Sequence, residues 1–170
     1  NRHLPMVEEK QISRRIQNTM FKLQSRNGNI RPVSPRDAPS TTHQSSGKSI
    51  QIEDVIKRVQ SALSPDLLVG RWKTQSHPLE GHCYVAAEAC FYLLGREGWK
   101  PMVASYQDEG GKATHWWLVH KVTGEKADPT AEQYAPEQPP YHLGKGTGFL
   151  TKNPSKRAQI VIDRVLKEAA

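Results

Sequence analysis

Long apolar runs are missing from this chain. No stretch nears the roughly 18 consecutive apolar residues that a membrane helix needs, which speaks against a helical span. Cysteine is scarce: the two present, Cys83 and Cys90, cannot build a disulfide framework and are expected as free thiols, which leans towards a cytoplasmic setting. No charged-then-apolar leader opens the sequence, so nothing in it predicts secretory export. The chain starts at Asn1, a residue that initiator-methionine removal does not normally expose, so a trimmed or processed N terminus is expected and an upstream signal stays open. Acidic residues are few in the first 48 positions, which hold three of the 17 in the chain against nine of the 24 basic ones. The other 122 positions carry 15 basic and 14 acidic side chains and are close to neutral. The pI of about 9.5 therefore belongs to an N-terminal arm, and bulk positive charge is not the instrument of the main domain.

What is present has a clear order. With 170 residues and a mean hydropathy of -0.69, the chain has room for one polar domain plus extensions. Val7, Ile12, Ile16, Met20 and Leu23, separated by Lys10, Arg14, Arg15 and Lys22, predict a basic amphipathic helix within 1–24. Such a helix lays its apolar stripe on the domain or a partner, or serves as an arm for an anionic surface. Residues 25–48, rich in Ser, Thr, Pro, Gly and Asn, read as a flexible linker. The domain is then 49–170. Ile52, Val55, Ile56, Val59 and Leu63 have helical spacing closed by Ser64-Pro65-Asp66, and a second helix is expected from His82 to Leu94, ended by Gly95. The period then shortens. Pro101–Tyr106, Thr114–His120 and Glu125–Asp128 read as strands joined by Asp108-Glu109-Gly110-Gly111 and Thr123-Gly124. Residues 131–150 should be mostly loop, and a last helix should start near Pro154 with Asn153 as its cap. The layout is α+β, an antiparallel meander between helices.

Chemistry concentrates at three points. Cys83 follows Gly81-His82 at the expected start of a helix, where the dipole favours a thiolate and a glycine leaves room for a substrate backbone. A nucleophilic sulfur needs an imidazole, and the imidazole needs an acceptor. His115, in Thr114-His115-Trp116-Trp117, lies on the second strand, and Asp128 follows thirteen positions later across a hairpin that puts the two on nearby rungs. Cys83, His115 and Asp128 are thus the candidate nucleophile, base and orienter. An ordinary buried cysteine and a turn-forming aspartate are the plainer readings of Cys83 and Asp128. Cys90, two helical turns beyond Cys83 and roughly 10.5 Å along the axis, is too far for a disulfide and should fill the core. His77, His120 and His142 are expected as surface or internally bonded histidines. Trp116 and Trp117 should pack on opposite faces of their strand. Zinc is not expected: His82, Cys83, Cys90, His115 and His120 form no Cys-x2-Cys or His-x3-His pair. No other cofactor is implied. Lys152, Lys156 and Arg157 oppose the dipole at the last helix's start, which points either to an anionic contact there, such as phosphate or a substrate carboxylate, or to three solvated charges.

These segments resemble a known superfamily. Gly81-His82-Cys83-Tyr84-Val85-Ala86-Ala87 is similar to the nucleophile segment of transglutaminase-like proteins, which usually reads Gly-Gln-Cys-Trp followed by Val and Ala. Thr114-His115-Trp116-Trp117 resembles their histidine strand, and Ala127-Asp128-Pro129-Thr130 their Asp-x-Thr segment. The resemblance spans about residues 75–135. It implies a papain-like core, with Cys83 as nucleophile, His115 as base and Asp128 as orienter, acting on amide or ester bonds without a cofactor. A cysteine protease or amidase, or a transglutaminase-like acyltransferase, is the implied enzyme, and a peptide, protein or small amide the implied substrate. His82 departs from the usual Gln, which leaves Gln75, eight residues before Cys83, as the candidate oxyanion donor beside the Cys83 N–H. Losing one such donor typically costs about 2.7–4 kcal/mol of barrier. The pattern as a whole, with Gly148-Phe149-Leu150-Thr151 and Pro154-Ser155-Lys156-Arg157, is also similar to small phage proteins, which would set it in a host cytoplasm or a virion and implies no mechanism. The competing expectation is a nucleic-acid or virion-associated binding protein whose basic arm, 1–48, meets an anionic partner while its thiol-enzyme-like core goes unused. An arm acting as an inhibitory or docking pro-segment is a third.

Overall fold

A computed structural model describes residues 45–169. The expected helix within 1–24 and the linker up to residue 44 lie outside the described residues. Helix α1, Ser45–Ala62, takes in the last residues of the expected linker. Its buried positions Ile52, Val55, Val59 and Ala62 recur at helical spacing and face the core. Two 3-10 turns, Pro65–Leu67 and Gly70–Lys73, lead to helix α2, Cys83–Leu93. Gly95, at a φ of 88°, lets the Arg96 N–H reach the Phe91 carbonyl at 2.9 Å and the Gly95 N–H the Tyr92 carbonyl at 3.3 Å, a Schellman ending.

The sheet follows. Strands β1, Trp99–Asp108, and β2, Gly111–His120, form a hairpin paired from Trp99↔His120 to Asp108↔Gly111. Strand β3, Lys126–Ala127, continues the meander on the far side of β2, as its Thr123-Gly124 turn predicts. A short β4, Lys145–Gly146, adds to the other edge of β1 and gives the order β3-β2-β1-β4, antiparallel throughout. β4 was not expected: its two residues carry no apolar alternation. Helix α3, Lys156–Glu168, closes the chain. Its cap is Ser155, whose hydroxyl accepts the Ala158 N–H, in place of the expected Asn153. The described residues thus form an α+β unit of three helices and a four-stranded antiparallel sheet.

The sheet has two differently covered faces. Trp99 and Leu118 join residues of α1, α2 and α3 in the main core, and Trp116, on the same side, meets Tyr84 edge-on at 4.9 Å and Phe149 stacked at 5.8 Å. Tyr106, His115 and Trp117 alternate onto the opposite side. Loop aromatics cover that side: Tyr134 lies 4.8 Å from the His115 ring and Tyr141 5.1 Å from the Trp117 ring. Gly144 permits the close cover, since a Cβ there would stand 2.5 Å from the Trp117 ring. The two tryptophans do face opposite ways.

Candidate active site

Cys83 is the first residue of α2, with its N–H among those a helix start leaves unbonded within the helix. The helix start abuts β2 beyond the end of β3, where the strand's edge is open. There the Cys83 thiol donates to the Thr114 carbonyl at 3.4 Å, and the Trp116 N–H points at the sulfur. His115 lies between those two backbone contacts. The structure therefore seats the sulfur against the strand segment that carries the imidazole.

The hairpin register does what the sequence spacing predicts. Leu118↔Ala127 sets Asp128 on the rung of Trp117, one alternation from His115 and on the same face. His115 Nε2 donates to Asp128 Oδ2 at 2.6 Å, with the two side chains only 0% and 3% exposed. The carboxylate has further donors: the Tyr141 hydroxyl reaches Oδ2 at 2.9 Å, and the Thr130 N–H and hydroxyl reach Oδ1 at 3.0 and 3.3 Å. The plain reading of Asp128 is thus realised too, because the Thr130 N–H closes an Asx turn over Pro129. With Nε2 turned to the carboxylate, Nδ1 is the ring nitrogen left to serve another group. It is buried and has no hydrogen-bond partner among the described residues.

The sulfur departs from expectation in one respect. A helix N-terminus was expected to favour the thiolate, yet burial pushes the Cys83 thiol up to about 11, against smaller opposing contributions from backbone N–H groups. Desolvation outweighs those N–H contributions, and the thiol donates to the Thr114 carbonyl. Cys90 is fully buried in the core, where desolvation raises its thiol further still.

Cys83 opens onto a cleft of about 330 Å³, walled by Trp72, Tyr84, Tyr106 and Tyr134 with Glu80, Thr114 and Arg157. His115 is sealed behind it. Gly81 lines the cleft at a φ of +79°, but the space its side chain would need is taken by Trp72, whose Cβ would stand 2.5 Å from a Cβ at 81. The glycine serves Trp72 packing and the turn, and leaves no vacancy at its own Cα. Asp108 accepts both ends of the Arg71 guanidinium at 2.9 and 2.8 Å, tying the β1–β2 turn to the cleft rim.

Gln75 is placed otherwise than an oxyanion donor needs: its side-chain N–H donates to the Pro78 carbonyl at 3.3 Å, and it is not among the cleft's walls. His82 is fully buried with neither ring nitrogen bonded among the described residues. The expected anionic contact of the basic cluster at the start of α3 is not seen: among the described residues Lys152, Lys156 and Arg157 form no ion pair, and the one buried carboxylate nearby is met by uncharged donors. Glu88, fully buried on α2, accepts the Ser155 N–H at 3.0 Å, the Ser155 hydroxyl at 2.6 Å and the Thr151 hydroxyl at 3.4 Å. Arg157 meanwhile donates to the Leu67 carbonyl at 2.9 Å. His120 is bonded within its loop, accepting the Thr123 N–H at 3.2 Å. No motif in the sequence marks Tyr106, Tyr134 or Tyr141, and Thr130 is visible there only as part of the Asp-x-Thr segment.

Among the described residues no three His, Cys, Asp or Glu side chains gather as a metal site, and no helix is long and apolar enough to cross a membrane. Compared with known families, curated proteins and solved structures, the chain gives no significant match. The site stands on its own geometry.

Proposed function

We propose that this protein is a cofactor-independent thiol enzyme, a hydrolase or acyltransferase acting on amide or ester bonds through Cys83, His115 and Asp128. The observation that carries the reading is the buried 2.6 Å contact of His115 Nε2 with Asp128 Oδ2, which frees Nδ1 as a base on the strand segment touching the Cys83 sulfur. The nucleophile helix, histidine strand and following aspartate come in the order of a transglutaminase-like, papain-like core.

The raised thiol implies general-base catalysis in place of a standing ion pair. Cys83 turns its S–H from the Thr114 carbonyl to His115 Nδ1. The proton passes to the imidazole as sulfur adds to the substrate carbonyl, and Asp128 stabilises the imidazolium. The proton then leaves with the amine or alcohol, giving a thioester on Cys83. Water or an amine discharges it, water being the default because it needs no binding site. Peptides, proteins or small amides that fit an aromatic-walled cleft are the substrates. In any assay that detects turnover, Cys83→Ala abolishes it with the fold intact and Cys90→Ala preserves it. Equal activity of the two variants overturns the assignment.

A second reading is favoured by one observation, the basic excess of residues 1–48. On that reading the chain binds nucleic acid through the arm, with an affinity that falls steeply with salt. Unchanged affinity after deletion of 1–44 removes it.

A further inference from the structure

The attacked carbonyl needs two donors for its oxyanion, and the site so far offers one, the Cys83 N–H at the helix start. The residue before the nucleophile is a buried histidine, and Gln75, whose amide is turned to Pro78, does not line the cleft. Resting on the thiol-enzyme reading, we propose that the paired hydroxyls of Tyr106 and Tyr134 are the second oxyanion donor of the site.

The two hydroxyl oxygens lie 2.6 Å apart, and either can donate to the other. Two hydroxyls carry two protons, and one bond between them uses one. The second proton has no acceptor among the described residues, while both tyrosines line the cleft onto which Cys83 opens. A hydroxyl proton that faces a cleft and is not taken by a protein acceptor is open to a bound ligand. Its place suits an oxyanion. Tyr106 shares a sheet face with His115, and the Tyr134 ring stands edge-on to the imidazole at 4.8 Å. Burial raises the pKa of both tyrosines, and a charge on Cys83 would add a smaller effect in the same direction. The other cleft tyrosine, Tyr84, accepts the Leu150 N–H at 3.0 Å and keeps its own proton, but its ring packs on Trp116, on the sheet face opposite His115. Burial also raises Tyr134 strongly, which keeps it a neutral donor at any working pH.

The pair would act as a relay: whichever hydroxyl faces the oxyanion donates to it, and the partner donates to that hydroxyl, strengthening the outer bond. Either tyrosine alone retains one donor, so single Phe substitutions are partly compensated and the double substitution is not.

The test compares two reagents at Cys83 in the full-length protein. p-Nitrophenyl acetate acylates the thiol: the S–C bond forms, the carbonyl electrons move onto oxygen and return, p-nitrophenolate leaves, and His115 takes the thiol proton. Iodoacetamide alkylates the same sulfur by displacing iodide, with no oxyanion. Tyr106→Phe/Tyr134→Phe should slow acylation by about 10²-fold or more and leave alkylation within about twofold of wild type. Each single variant should fall between. Equal loss with both reagents would make the pair a packing feature, and no loss of acylation would leave it without a role; either overturns the proposal. A wild-type Cys83 that reacts rapidly with iodoacetamide yet acylates no faster than a free thiol overturns it along with the parent reading. Fast acylation of wild type that the double variant retains overturns the tyrosine proposal alone.

Discussion

His82 sits beside the candidate nucleophile with its ring fully buried and neither nitrogen bonded among the described residues. Burial lowers its pKa, with the Arg157 charge adding to the effect. The folded protein thus holds fewer protons here than the unfolded chain just below the ordinary histidine range. Its contribution is complete above pH of about 6.5 and is lost as pH falls through the lowered value. His82→Leu gives up no hydrogen bond seen in the structure, so it should unfold at a similar or higher urea concentration at pH 7.5 and lose less than wild type at pH 5. Parallel pH profiles would show that His82 does not titrate on unfolding. At Asp128 the expectation is the reverse. Three groups besides His115 donate or close onto its carboxylate, so Asp128→Asn, which can no longer accept at every oxygen, should cost both turnover and stability. A fall in acylation of about 10²–10⁴-fold is expected from loss of the tautomer lock alone.

At the scale of elements, α2 and α3 are joined by a buried carboxylate. Glu88 gathers the Ser155 N–H and hydroxyl, and the same Ser155 hydroxyl accepts from Ala158 to start α3. Ser155→Ala should lower stability by about 1–3 kcal/mol in urea unfolding, more than a surface cap, because it also strips a donor from a buried anion. A loss below about 0.5 kcal/mol would show the clamp to be idle. This clamp marks where sequence reading stopped. The helices, the β1–β2–β3 meander and the His115–Asp128 contact were legible because apolar period, turn residues and a hairpin register are short-range signals. Glu88 and Ser155 are 67 positions apart and the tyrosine pair 28, and nothing local in either sequence neighbourhood announces its partner. β4 has only two residues, Lys145 and Gly146, and pairs because the chain must return past β1 on its way to α3. The cap shifted from Asn153 to Ser155 because Glu88 selects the serine, a preference that helix-start rules do not contain. For the same reason the sequence favoured an activated thiolate: the dipole is readable from a helix start, and the burial that pushes the thiol up is not.

At the scale of the molecule, the fold divides the labour between the sheet's two faces. Helices pack one face into the main core, while loop aromatics seal the other around His115 and Asp128. Of Cys83, His115 and Asp128, only Cys83, at the strand edge, lines the cleft. With the thiol pushed up to about 11, alkylation of wild-type Cys83 by iodoacetamide should keep rising with pH through 8 to 10 with no plateau near neutrality. A plateau below pH of about 7 would mean a standing thiolate and a different proton arrangement.

The most direct measurement is peptide mapping by mass spectrometry after a brief pulse of p-nitrophenyl acetate, on wild type and His115→Gln. The account predicts an acetyl group on Cys83 of the wild-type protein, and loss of that rapid labelling in the variant while its circular dichroism spectrum stays native. Equal labelling of Cys83 in the two proteins, or label only on surface lysines, would contradict it.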